Sequence, residues 1–147
     1  MLTVKDLLEK KGKEHWFVTP QTIVYDALQK MAEKDIGALM VIDNNALIGI
    51  FSERDYARKV VLHGKSSKDT VVSDYMSKLM ITVSPDTSID DCMALMTEKR
   101  VRHLPVMENQ NLTGVISIGD VVNAIIKERD IQIKNLENYI MGNRYGS

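Results

Sequence analysis

The chain repeats itself. Residues 18–56 align on residues 83–121 without a gap, at one constant spacing. Val18, Pro20, Thr22, Asp26, Met31, Glu33, Lys34, Leu39, Val41, Asn44, Leu47, Gly49, Ser52 and Asp55 recur as Val83, Pro85, Thr87, Asp91, Met96, Glu98, Lys99, Leu104, Val106, Asn109, Leu112, Gly114, Ser117 and Asp120. Val24/Ile89, Ile36/Val101 and Ile50/Val115 are conservative pairs in the same alignment. A duplication of this kind means two copies of one supersecondary unit, each needing a neighbour to cover its apolar face. Halves of roughly 60 residues are marginal alone, so the two copies are expected to pack as one module.

The pattern inside each copy sets the fold class. Val24, Ala27, Leu28 and Met31 fall at i, i+3, i+4 and i+7, as do Ile89, Cys92, Met93 and Met96, which places each set on one helical face. Thr22 and Thr87 precede these runs and suit helix initiation, with Thr87 and Asp90 as a capping pair. The period then changes. Residues 38–42 and 47–51 read as two strands joined at Asn44-Asn45, and residues 104–107 and 112–116 repeat them around Asn109-Gln110. Pro105 has no N–H to donate, so it marks a strand start or an edge. A second helix opens at Ser52 and at Ser117. The first stops at Gly64, whereas the second runs unbroken from Asp120 to about Ile140, with Ile126, Ile133 and Ile140 seven apart. Val4-Lys5-Asp6-Leu7-Leu8 and Val72-Ser73-Asp74-Tyr75-Met76 form a repeated lead-in. The expectation is an α/β protein of two pseudo-symmetric units: repeat 1 over 1–64, a linker over 65–70, repeat 2 over 71–127 and a helical extension over 128–147, its last residues, 142–147, frayed.

Composition excludes several classes. With 147 residues, 44% of them apolar, the chain can bury a real core. A net charge of −1 with dispersed Lys and Arg gives no basic footprint for nucleic acid. There is one cysteine, Cys92, on an apolar helix face, which suits a small buried residue in a reducing compartment. No apolar run of 18 residues and no leader pattern follow Met1, so neither a membrane span nor a secretion signal is expected, and the compartment is read as cytoplasmic. His15, His63 and His103 lack metal-ligand spacing, and no phosphate-cradling or nucleophile-elbow motif occurs, so an enzyme is not indicated.

Chemistry concentrates where each hairpin ends. Gly49-Ile50-Phe51-Ser52-Glu53-Arg54-Asp55 and Gly114-Val115-Ile116-Ser117-Ile118-Gly119-Asp120 both read Gly, two apolar residues, Ser, two variable residues, Asp. Helix capping is one sufficient account, with Ser at the N-cap and the acid three residues on. The other starts from the same geometry. A helix N-terminus attracts phosphate, a serine adds a hydroxyl donor, and an aspartate one turn in suits vicinal ribose hydroxyls. Gly49 and Gly114 would let a ligand approach the backbone. Phosphate and ribose together describe a nucleotide.

With these motifs, the Val-x-Pro before each first helix and the segment Arg102-His103-Leu104-Pro105-Val106, the repeat resembles the cystathionine-β-synthase (CBS) domain, and the tandem pair resembles a Bateman module over about residues 3–127. The resemblance implies a non-enzymatic regulator that binds adenine nucleotides (AMP, ADP, ATP or NAD) in clefts between the repeats and modulates a partner protein. It implies that Asp55 and Asp120 hold ribose and that Ser52 and Ser117 approach phosphate. Val18 and Thr19, Thr82 and Val83, Ile36, Gly37 and Ala38, and Arg102, His103, Leu104 and Pro105 would wall in the adenine. Arg54 and Arg58 are expected to make one cleft prefer a more anionic ligand than the other. A homodimer paired through its helices, with the last helix crossing or capping its mate, is expected. The competing class is a constitutive oligomerisation or adaptor scaffold with no functional ligand. Stabilisation by a nucleotide separates the two.

Overall fold

The computed structural model describes residues 1–144. The elements are α1 (Val4–Lys11), β1 (Phe17–Val18), α2 (Val24–Lys34), β2 (Ala38–Asp43), β3 (Ala46–Ser52), α3 (Glu53–Asp55, continuing as a π-helical stretch Tyr56–Val61), a 3-10 turn (Val72–Asp74), α4 (Ile89–Lys99), β4 (His103–Glu108), β5 (Asn111–Ser117) and α5 (Ile118–Arg144). Each half is a helix followed by an antiparallel hairpin and a second helix, as the periodicity implies. The hairpin turns are tight because both central residues sit in the left-handed region: Asn44 (φ 50°) and Asn45 (φ 63°), then Asn109 (φ 51°) and Gln110 (φ 68°).

Pro105 explains why the two sheets differ. In the first half β1 lies parallel to β2, and Met40, the counterpart of Pro105, donates its N–H to Trp16 O at 3.2 Å. Proline removes that donor. Only the Val83↔Val106 bridge then remains of the third strand, so three strands face two. Pro105 lies within β4 rather than at its start, with its donor-less position turned to the weakly paired edge.

Two other expectations need correction. Thr22 and Thr87 do not cap α2 and α4; their hydroxyls accept the N–H groups of Thr19 and Ser84, each at 3.1 Å, and fix the preceding turns. The cap of α4 is Ser88, whose hydroxyl accepts from Asp91 N at 3.0 Å. α2 has no side-chain cap because the linker supplies one: Val24 N–H meets Thr70 O and Tyr25 N–H meets Ser67 O, both at 2.9 Å.

The lead-ins cross over. Val4 and Lys5 donate their N–H groups to Thr87 O (2.8 Å) and Pro85 O (2.9 Å) of the second half. Val72 and Ser73 donate to Thr22 O (2.9 Å) and Pro20 O (3.0 Å) of the first. Side chains follow the backbone. Val4, Leu7 and Leu8 are buried with Val83, Ile89, Cys92, Met96, Leu104, Val106, Ile116 and Val121. Val72 is buried with Val18, Val24, Ala27, Met31, Leu39, Val41 and Phe51. Each core therefore contains the other repeat's lead-in: the second core draws on residues 4–8, distant in sequence, and the first on Val72, just past the linker. From Ile131 to Met141, α5 is exposed on all sides, including Ile133, Leu136 and Ile140. The helix continues through 142–144, where fraying is expected; 145–147 lie outside the described residues.

Candidate functional site

Both Gly-to-Asp motifs fold alike. β3 ends on Ser52 and β5 on Ser117, and each serine hydroxyl accepts the N–H of the aspartate three residues on: Asp55 at 3.0 Å, Asp120 at 3.2 Å. Each carboxylate accepts the serine N–H in return, at 3.0 and 2.8 Å. Helix capping is realised at both positions. The first N–H of each helix is also spoken for, Glu53 by Gly37 O (3.0 Å) and Ile118 by Arg102 O (2.9 Å). These bonds hold the start of β2 beside one motif and the start of β4 beside the other.

The crossing lead-ins make the two aspartates unequal. At Asp55 the backbone of Ser77 bridges Ile50 in both directions (2.8 and 3.0 Å), and its hydroxyl donates to Asp55 Oδ1 at 3.2 Å. Lys59 adds an ion pair at 3.0 Å. At Asp120 one side chain does the corresponding work. Lys11 Nζ donates to Val115 O, the counterpart of Ile50 O, at 2.7 Å and pairs with Asp120 Oδ2 at 2.5 Å. Asp55 keeps 12% of its side-chain exposure and Asp120 25%, so the second carboxylate is the more accessible.

A cavity of about 430 Å³ opens at Asp120, between the repeats. Ile36, Gly37, Ala38 and Met40 of the first half line one side, and His103, Val115, Ser117 and Asp120 of the second line the other. Lys11, Glu14, His15, Trp16 and Asp35 complete it. Thus Asp120, Ser117, Ile36, Gly37, Ala38 and His103, all singled out in the sequence, come together in one cleft. Lys11, His15 and Trp16 are residues that the sequence reading did not place there. Their signal was hidden, because they lie in the stretch where the repeats differ in length. A second groove of about 550 Å³ between α1 and α5 is also lined by Lys11 and Asp120, which form a wall common to both spaces.

The remaining candidates lie elsewhere. Asp55 is bonded by Ser77, and Ser52 caps the same helix start. Val18, Val83 and Leu104 are core residues, Pro105 is buried within β4, and none of the four lines the cavity. Thr19, Thr82 and Arg102 are exposed outside it. Gly49 and Gly114 make room for the chain rather than for an open cleft. A Cβ on Gly49 would stand 2.6 Å from Met76 Sδ, and one on Gly114 would stand 3.0 Å from Leu8 Cδ2. Arg54 and Arg58, beside the first motif, are exposed, enter no ion pair among the described residues and do not line this cavity.

Charge in the cleft is finely opposed. Burial alone would raise the Asp120 carboxyl, but the Lys11 ammonium and the Ser117 N–H outweigh it and hold the group below the usual carboxylate range. Burial lowers His103, Lys11 and Arg102 lower it further, and Asp120 opposes them, so the imidazole stays neutral at pH 7. Trp16 presents its ring under Lys34 Nζ at 4.1 Å from the centroid. Among the described residues no cluster of His, Cys, Asp and Glu is suited to a metal, and no helix is long and apolar enough to cross a membrane.

Comparison with known proteins agrees with this architecture. The CBS domain model matches twice, over residues 4–62 and 72–127. A CBS domain-containing mitochondrial protein of Arabidopsis thaliana, CBSX3, is 41% identical over 150 residues, covering 95% of this chain and 72% of its own. A solved protein with CBS domains from Burkholderia ambifaria is 50% identical and superposes with a TM-score of 0.83, covering 85% of this chain and 94% of its own. The CBS-domain containing protein ATU1752 from Agrobacterium tumefaciens is 40% identical, with a TM-score of 0.80 over 83% of this chain and 98% of its own. The duplicated unit, its paired motifs and these matches make this chain a member of the CBS-domain family, carrying two CBS domains in tandem.

Proposed function

We propose that the protein is a regulatory sensor that binds one adenine nucleotide, of the AMP, ADP, ATP or NAD type, in the cleft at Asp120 and thereby modulates a partner protein. The observation that carries this reading is the convergence of three unlike surfaces on one cavity: an apolar wall (Ile36, Ala38, Met40), an accessible carboxylate (Asp120) and a serine at the start of a long helix (Ser117). The apolar wall suits a purine face, Asp120 the ribose hydroxyls, and Ser117 with the α5 N-terminus a phosphate. Its volume, about 430 Å³, falls within the roughly 300–1,000 Å³ of small-ligand sites. Asp55, closed by Ser77, serves the fold rather than a second ligand.

Trp16 is the only tryptophan and lines the cavity, so its emission is a local reporter. Titration with AMP, ADP, ATP, NAD and S-adenosylmethionine, read by calorimetry and by Trp16 emission, is expected to saturate with one ligand per chain. Asp120→Asn should weaken binding by about 10–100-fold, the worth of a hydrogen bond to a charged group. No heat and no emission change with any ligand would instead favour the scaffold reading, which the present engagement of both aspartates as helix caps supports. The exposed stripe of Ile126, Ile133, Leu136 and Ile140 on α5 supports self-association of the module as a homodimer. Ile133→Glu with Ile140→Glu should then convert a dimer to a monomer in light scattering; an unchanged mass would remove α5 from the interface.

A further inference from the structure

We infer that Lys11 is the selectivity residue of the cleft: it admits ligands that carry an anionic group beside the ribose and discriminates against the same nucleoside without one. The inference rests on the nucleotide reading above and concerns how that site chooses. Lys11 Nζ and the Ser117 N–H converge on the same oxygen, Asp120 Oδ2, at 2.5 and 2.8 Å. A ribose whose two vicinal hydroxyls span both carboxylate oxygens must therefore displace Lys11 from Oδ2 or share that oxygen with it. A neutral nucleoside takes the carboxylate and offers the ammonium nothing in return for the ion pair it gives up. A nucleotide replaces both halves of the pair at once, its hydroxyls meeting Asp120 and its phosphate meeting Lys11.

The comparison between the two motifs shows why this exchange belongs to Asp120. Opening Asp55 means breaking the Ser77–Ile50 backbone bridge and lifting Met76 from its packing against the first core. Opening Asp120 needs only rotation of a lysine side chain that is 34% exposed. The backbone of α1 stays where Leu7 and Leu8 are buried. The lysine is a side-chain stand-in for a backbone clamp, so it can leave without unfolding anything.

The test is calorimetry of AMP and adenosine on the wild type, Lys11→Met and Lys11→Arg. The wild type should prefer AMP. Lys11→Met should lose about tenfold or more in AMP affinity, the effect of removing one charge-assisted contact. It should also hold or gain adenosine affinity, because the competitor for Asp120 is gone. Lys11→Arg should retain the preference, and since Lys11 is exposed at the end of α1 both variants are expected to melt near the wild type. A general loss of folding would depress both ligands together, so opposite movements of AMP and adenosine are the signature. If the wild type binds AMP and Lys11→Met keeps the full preference, the inference is wrong and the nucleotide site stands. If the wild type binds neither ligand, both fall.

Discussion

Gly49→Ala tests the clamp that the second lead-in places on the first half. The added methyl would lie 2.6 Å from Met76 Sδ, 3.0 Å from Met76 Cγ and 3.1 Å from Ser77 O, where ordinary contact begins near 3.4 Å. The thioether can shift, but the Ser77 carbonyl cannot, because it receives Ile50 N–H at 3.0 Å. Overpacking of this kind costs about 1–3 kcal/mol. Gly49 is not among the residues of positive φ, so alanine is conformationally acceptable and recovers about 0.4–1 kcal/mol of chain entropy. The net loss centres on about 1 kcal/mol, which lowers Tm by roughly 2–4 °C for a chain of this size. Gly114→Ala is the internal control, because the nearest atoms its methyl meets are Leu8 side-chain carbons, from 3.0 Å. Differential scanning calorimetry of both variants should rank Gly49→Ala as the more damaging. An unchanged or raised Tm for Gly49→Ala, or the reverse ranking, would refute the argument that a rigid carbonyl sets the cost.

Leu8→Ala should destabilise the protein by about 2–5 kcal/mol in urea unfolding although Leu8 lies far in sequence from the core it completes; a loss under 1 kcal/mol would contradict the crossing of the lead-ins. Cys92 is buried, and burial, with Asp91 adding, pushes its thiol up to about 11, so Ellman's reagent should modify it only on unfolding; rapid reaction of the native protein would place it at the surface. His103 titrates below its ordinary 6.5 in the folded protein, because burial, Lys11 and Arg102 outweigh Asp120. The unfolded chain then takes the proton first, and stability should fall as pH drops from about 6.5 toward the lowered value. His103→Gln should flatten that slope in melts between pH 5 and 7.5, and parallel slopes in the two proteins would sink the assignment.

Much of this fold is written locally. The heptad-like faces of α2 and α4, the Asn44-Asn45 turn and the serine caps each follow from residues a few positions apart, which is the range over which periodicity and turn chemistry act. What escaped is non-local. Nothing near Val4 or Val72 says that each lead-in docks on the opposite repeat, since an apolar side chain carries no address for its partner. Pro105 announces an edge, but only the bond from Met40 N–H to Trp16 O in the other half reveals which strand it costs. The candidate site divides the same way. Asp120 and Ser117 were legible because the motif recurs, and Ile36 to Ala38 came with the family resemblance. Lys11 was not, since its partners Val115 and Asp120 lie more than a hundred residues away and the stretch after α1 has no gapless counterpart. Two intact motifs leave neither site excluded; what the motif does not carry is that Ser77 bonds Asp55 while Lys11 takes the matching place at Asp120.

The most direct test is a crystal structure of the protein grown with AMP. The account predicts one nucleotide per chain, with its ribose hydroxyls on Asp120, its adenine against Ile36 to Ala38, and Lys11 turned from Val115 O to the phosphate. A nucleotide seated at Asp55 instead, or a saturated crystal with the Asp120 cleft empty and Lys11 still paired, would contradict it.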